Sequence, residues 1–155
     1  MRGALLAVLI CCLVWCPVVA ADTGAFSVPQ ARKQYRVAHE RAVRAAKRES
    51  RARYVFRATR TYVRLYGPRV GRWTRLALDV GWPRAELGTL FRVIAAESGG
   101  DPFAVNASSR CAGLLQLHPC WYSGRFFFNP YDARENLRIG LWLRRNAGWQ
   151  SWVTY

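Results

Sequence analysis

Hydrophobic and polar positions divide the chain into three stretches. Leu5 to Val19 is an apolar run of 15 residues without a charge. Gln30 to Tyr66 is strongly basic, with its less polar residues at Tyr35, Ala38, Ala42, Ala45, Glu49, Ala52, Phe56, Thr59, Val63 and Tyr66. Those steps alternate three and four, the seam of an amphipathic helix. Alanine fills four seam positions and Glu49 a fifth, where a coiled coil wants Leu or Ile. The stretch predicts one long basic helix that packs Phe56, Val63 and Tyr66 on the next domain and ends at Gly67-Pro68.

The third stretch is helical and more apolar. Val70 to Val80, with Trp73, Leu76, Ala77 and Val80, reads as a short amphipathic helix closed by Gly81. Pro83 sits near the first position of the next helix, where its missing N–H does no harm. Leu87, Leu90, Phe91 and Ile94 form one buried stripe, and Glu97, three residues beyond Ile94, falls on it. The helix breaks at Gly99-Gly100. Asp101-Pro102 opens a loop that Asn106-Ala-Ser-Ser109 continues with turn and cap residues. Gly113-Leu-Leu-Gln-Leu117 reads as a second, short apolar helix carrying Gln116. Trp121 to Phe128 is aromatic and reads as a loop over a cleft, although its rings would equally close a core. Asn129-Pro-Tyr-Asp132 starts the last long helix, with Asp132 as N-cap and Glu135 completing a capping box. Its apolar face holds Leu137, Ile139, Leu141, Trp142 and Leu143. Asn146-Ala-Gly148 ends it, and Trp149 and Trp152 fold back to seal the domain. With no repeat and no strand signal, the fold class is all-α: a small domain over 69–155 behind a basic helical segment over 22–68.

Charge changes the picture. The 155 residues carry a net charge of +15, which draws the chain to polyanions. Three readings compete for the basic helix: a solvated spacer, attachment to an anionic cell wall or membrane surface, and nucleic-acid binding. The last is disfavoured by export and by the lack of a stacking platform. Export is read from Met1 to Ala21, a signal peptide with Arg2 at its positive end and small residues for cleavage after Ala20 or Ala21. Its run is short of the about 20 residues of a membrane span; an uncleaved anchor is the alternative. The protein is then secreted, periplasmic or cell-wall associated. Cleavage leaves Cys111 and Cys120, which pair as a disulfide in an oxidising compartment or stay as two buried thiols. These cysteines with His39 and His118 make no zinc spacing, so neither metal nor cofactor is expected.

Glu97 carries the chemistry. A carboxylate on an apolar face prefers its protonated form, and a protonated carboxyl can give its proton to a leaving oxygen. The plainer reading is a last-turn residue that points outward or caps backbone. Gln116 is either a cleft-facing amide or a satisfied polar group in the core.

Glu97-Ser-Gly-Gly-Asp-Pro-x-Ala-Val-Asn106, Gly113-Leu-Leu-Gln-Leu-x-Pro119, and Asn129-Pro-Tyr-Asp132 with Glu135-Asn136 resemble the lytic transglycosylase family, the soluble lytic transglycosylase and goose-type lysozyme-like domain. The resemblance covers roughly Trp73 to Trp152. It implies a lysozyme-like domain that cleaves the β-1,4 bond between N-acetylmuramic acid and N-acetylglucosamine in peptidoglycan. Glu97 would act as acid and then as base, forming an anhydro product; hydrolysis by water is the alternative outcome. The resemblance further implies that Ser98 supports the acid, that Asn106 contacts sugar, and that Gln116 and His118 line the cleft. Its partner is the glycan strand, and it would work as a monomer without nucleic acid. Two departures stand out. One extra residue lies between Asn106 and Gly113. The family's Ala-Tyr-Asn-Ala-Gly motif, whose tyrosine orients the acid, is replaced by Arg145-Asn-Ala-Gly148, and it is open whether any tyrosine, Tyr131 or Tyr155 among them, fills that role; Tyr131 is also read as a substrate-binding residue. A non-catalytic cationic wall binder or antimicrobial protein is the rival from another class.

Overall fold

The computed structural model describes residues 28–152. The signal-peptide reading of Met1–Ala21 and the possible role of Tyr155 lie outside the described residues. The chain divides into two units, Met1–Ala45 and Ala46–Tyr155.

In the first unit all described residues belong to helix α1 (Val28–Tyr66) and all are exposed. Tyr35, on the expected seam, is 72% exposed, so nothing among the described residues of this unit covers the seam. Glu40 and Arg44 pair across one helical turn at 3.4 Å, a contact worth about 0.3–0.5 kcal/mol on a wet surface.

The second unit contains the rest of α1 and the helical domain. Tyr54, Tyr62 and Tyr66 pack against the core, with the Tyr62 ring 4.5 Å from that of Phe91. Phe56, expected at this contact, is 68% exposed. The expected seam repeats every 3.5 residues, whereas the packing ridge runs Tyr54, Ala58, Tyr62, Tyr66 in steps of four. Val63 does make contact: Gly71 lies so close to it that a Cβ there would clash. Arg51 of the same helix donates to Asp79 at 2.9 Å.

Gly67 ends α1 at φ 84°, and Pro68 opens α2 (Pro68–Gly71). The single helix expected over Val70–Val80 is thus two: α2, then α3 (Thr74–Val80). Trp73 sits at the break and donates its indole N–H to Gly100 O at 3.0 Å. After Gly81, Pro83 precedes a 3₁₀ turn, Arg84–Glu86, that leads into α4 (Leu87–Ser98). Leu87, Leu90, Phe91 and Ile94 are completely buried, as the stripe predicts.

Helix α5 (Ala133–Ala147) begins at Asp132, whose side chain accepts from Arg134 N and Glu135 N. The capping box is only half formed. Asp132 N–H bonds Asn129 O instead, and Glu135 turns to Arg138. Trp152 is buried, and Trp149 stacks 5.7 Å from Trp82, so the tryptophans do close the domain. Trp121 and Phe126 likewise pack on Trp142, at 5.9 and 5.1 Å between ring centres. The expected cleft loop is therefore core packing that begins as a π-helical turn, Cys120–Arg125.

The largest correction lies at Gly113–Leu117, which is a hairpin turn and not a helix. Val105 pairs with Ala112 and Ala112 with Leu117 in isolated antiparallel bridges. Gly113 at φ 81° and Gln116 at φ 45° are outside the right-handed helical region. Among the described residues there is no β-strand, and the fold is all-α.

Candidate active site

Glu97 lies in the last turn of α4. The buried stripe stops at Ile94, and Glu97 emerges half-buried at its end. Gly99, at φ 59°, caps the helix by donating its N–H to Ala95 O at 3.2 Å. Gly100 sits so close to the backbone of Arg69 and Val70 that no Cβ fits. The acid thus stands on a buried helix whose exit is fixed by α2.

Ser98 joins this helix to the hairpin. Its hydroxyl lies 3.1 Å from Ile94 O and 2.9 Å from Leu114 O, and accepts from Gly100 N at 3.2 Å. Those bonds position the helix end and occupy the hydroxyl.

The hairpin is held from behind by α5. Asn136 is completely buried. Its Oδ1 accepts from Leu115 N at 3.0 Å, and its Nδ2 donates to Pro130 O at 2.9 Å and Ala112 O at 3.2 Å. A Cβ on Gly113 would collide with that amide. Trp152 adds an indole N–H to Leu115 O at 2.9 Å. The sequence reading assigned Asn136 no role. Its signal was a lone amide inside the apolar face of α5, where burial demands a hydrogen-bonded purpose.

Gln116 ties the hairpin to the preceding loop. Its Nε2 donates to Ala104 O at 2.9 Å and Gly113 O at 3.0 Å. Both partners are carbonyls, which fixes the amide and leaves Oε1 without a protein donor among the described residues. Its positive φ is a strained conformation of the kind held in place at functional sites.

The loop from Asp101 to Arg110 is exposed and braces itself. Asp101 Oδ1 accepts from Phe103 N at 2.9 Å. Asn106 Oδ1 accepts from Ser108 N, Ser108 Oγ and Ser109 N at 3.0, 2.8 and 3.0 Å. The turn role of Asn106 is thus real, and its NH₂ remains without a protein acceptor among the described residues. Tyr131 reaches the same loop by stacking on Phe103, with ring centres 6.2 Å apart. Tyr122 donates its hydroxyl to Arg110 O at 2.6 Å. Burial, with Tyr131 nearby, pushes the Tyr122 phenol above its ordinary value. His118 is exposed and accepts from Cys120 N through Nδ1 at 3.3 Å.

Of the two alternatives for Cys111 and Cys120, this structure shows two free thiols, Cys111 half-buried and Cys120 exposed. Cys111 O is paired with Asn106 N, while Cys120 opens the π-helical turn and is exposed. No group of three His, Cys, Asp or Glu among the described residues could hold a metal ion.

Asp101 caps a turn and Asp132 caps α5. Asp79 pairs with Arg51, Glu86 with Arg144 and Glu135 with Arg138. In α1, Glu40 and Glu49 pair with Arg44 and Arg53. The chain matches no family model, no curated protein and no solved structure.

Proposed function

We propose that the protein is an exported peptidoglycan-cleaving enzyme of the lytic transglycosylase kind, with Glu97 as its catalytic carboxyl. The observation that carries this reading is the placement of Glu97, half-buried at the end of an apolar helix whose glycine exit is fixed against α2. Glycosidases that use two carboxylates need both beside the scissile bond. The resemblance implies instead one carboxyl that serves twice.

The chemistry then runs through Glu97 alone. Its protonated carboxyl gives the proton to the glycosidic oxygen as the bond from C1 of N-acetylmuramic acid to that oxygen breaks. The muramic 6-hydroxyl attacks C1, and its proton passes to the Glu97 carboxylate. The products are a free 4-hydroxyl on N-acetylglucosamine and a 1,6-anhydro end, with Glu97 protonated again. Ser98 positions the acid's helix. Gln116 Oε1 and the Asn106 NH₂ offer an acceptor and a donor to sugar hydroxyls and amides. By the resemblance, His118 and Tyr131 would also contact the glycan. The exposed basic helix α1 attaches the enzyme to an anionic wall or membrane surface. The enzyme acts as a monomer on glycan strands.

Glu97→Gln tests it. The variant is expected to fold as wild type by circular dichroism and to lose release of soluble muropeptides from purified walls by about 10²–10⁴-fold. Lysis retained by Glu97→Gln overturns the assignment. Mass spectrometry of the wild-type products separates anhydro ends from the reducing ends of lysozyme-type hydrolysis. A second reading, a non-catalytic cationic wall binder, draws on the uncovered basic face of α1. Under it, both proteins clear a wall-containing gel equally.

A further inference from the structure

Two aromatic rings beside the proposed site have no place in the core. Phe103 is 71% exposed and Tyr131 is 39% exposed, yet their rings stack 6.2 Å apart at 27°. They come from segments distant in sequence, the loop after α4 and the turn before α5. Each is braced by the same device two residues earlier. Phe103 N–H donates to Asp101 Oδ1 at 2.9 Å, and Tyr131 N–H donates to Asn129 Oδ1 at 3.0 Å. Ring positions set this firmly, with ring faces left in water, are pre-organised for a ligand.

We infer that the Phe103–Tyr131 pair is a stacking subsite for a sugar ring of a glycan strand, away from the bond that Glu97 cleaves. This inference rests on the proposed peptidoglycan substrate. Three features select a sugar. First, a pyranose has an apolar C–H face and a polar edge. The paired rings supply the apolar surface, and the same loop supplies the Asn106 NH₂ and Ser108 hydroxyl. Second, two rings contribute at most a few hundred Å², short of the about 800 Å² per side of a stable protein complex. Third, the loop is continuous with the site. Asp101 N–H bonds Ser98 O next to the acid, and Gln116 grips Ala104 O, the residue after Phe103. A strand stacked on the pair is therefore held by the same loop that borders Glu97.

The test uses the full chain carrying Glu97→Gln, so that bound glycan is not cleaved. Its affinity is measured for the hexasaccharide and the disaccharide of β-1,4-linked N-acetylglucosamine. Adding Phe103→Ala is expected to weaken hexasaccharide binding about tenfold and to leave the weaker disaccharide binding unchanged. Phe103→Trp restores the hexasaccharide affinity, because it restores a ring face. Hexasaccharide affinity unchanged by Phe103→Ala overturns the subsite. So does sedimentation in which a dimer of the chain is dispersed by Phe103→Ala, since the rings would then meet a second copy. The two readings fail separately. Wild-type protein that binds the hexasaccharide through Phe103 but never cuts walls sinks the enzyme and keeps the subsite. Protein that cuts walls with Phe103→Ala as fast and as tightly as wild type does the reverse.

Discussion

Two segments flank the exit of α4, and they are built in opposite ways. The hairpin at Ala112–Leu117 is buried, and its backbone groups are bonded from behind by Asn136 and Trp152. The loop at Asp101–Arg110 is exposed, and its polar groups are bonded mainly to one another. The hairpin has one arrangement because α5 dictates it; the loop has one because its own short side chains cap it. Gln116 is the link, rooted in the first and reaching into the second. The proposed glycosidase activity would use both properties: a fixed wall to aim the acid, and a wet rim whose side chains can meet sugar.

The sharpest way to break this contrast is Asn136→Ala. It strands Leu115 N–H and takes the amide donor from Pro130 O, while Ala112 O keeps its bond from Leu117 N–H. At about 1–3 kcal/mol for each buried group left unmet, the loss takes a large share of the about 5–15 kcal/mol total of a small domain. The variant is expected to show a much lower urea midpoint at room temperature. A midpoint close to wild type would mean that the hairpin does not depend on α5.

Trp152→Phe is gentler. It keeps a ring in the core and removes the indole N–H from Leu115 O. The expected cost is about 1–3 kcal/mol, seen as a lower thermal midpoint with wall cleavage retained below it. A cost near zero would assign the closure of the domain to ring packing alone.

These two positions also mark what the sequence could and could not reveal. Helices α4 and α5 were legible because their apolar residues recur at helical spacing and their ends carry glycine or Asp132. The tryptophan closure followed from ring size and position. Gly113–Leu117 was misread because four of its five residues are apolar or glycine, and so short a run has no periodicity to distinguish a helix from a turn. What decides it is Asn136, more than twenty residues later, whose amide claims the backbone that a helix would need. Phe56 was misplaced for a related reason. A seam drawn at 3.5 residues drifts away from the 3.6-residue helix over several turns, and the core selected Tyr54 and Tyr62. Glu97 stood out in the sequence because charge on an apolar stripe is rare, and it lies half-buried where that stripe ends. The Phe103–Tyr131 pair was not, since only the folded chain brings these rings together.

The smallest expected effect falls on the exposed loop. Asn106→Ala removes the acceptor of Ser108 N, Ser108 Oγ and Ser109 N. Water can replace it at those exposed donors, so the stability loss is expected within about 1 kcal/mol. Asn106→Asp keeps the acceptor and removes only the NH₂. If the residue serves the turn alone, the aspartate variant cleaves walls at the wild-type rate while the alanine variant is slower. If the NH₂ also meets sugar, both variants raise KM several-fold, and the aspartate does so without any change in thermal midpoint. Measuring KM and the midpoint on the two variants together separates the turn from the contact. It also asks whether the wet rim is shaped by its own bonds or by the substrate it holds.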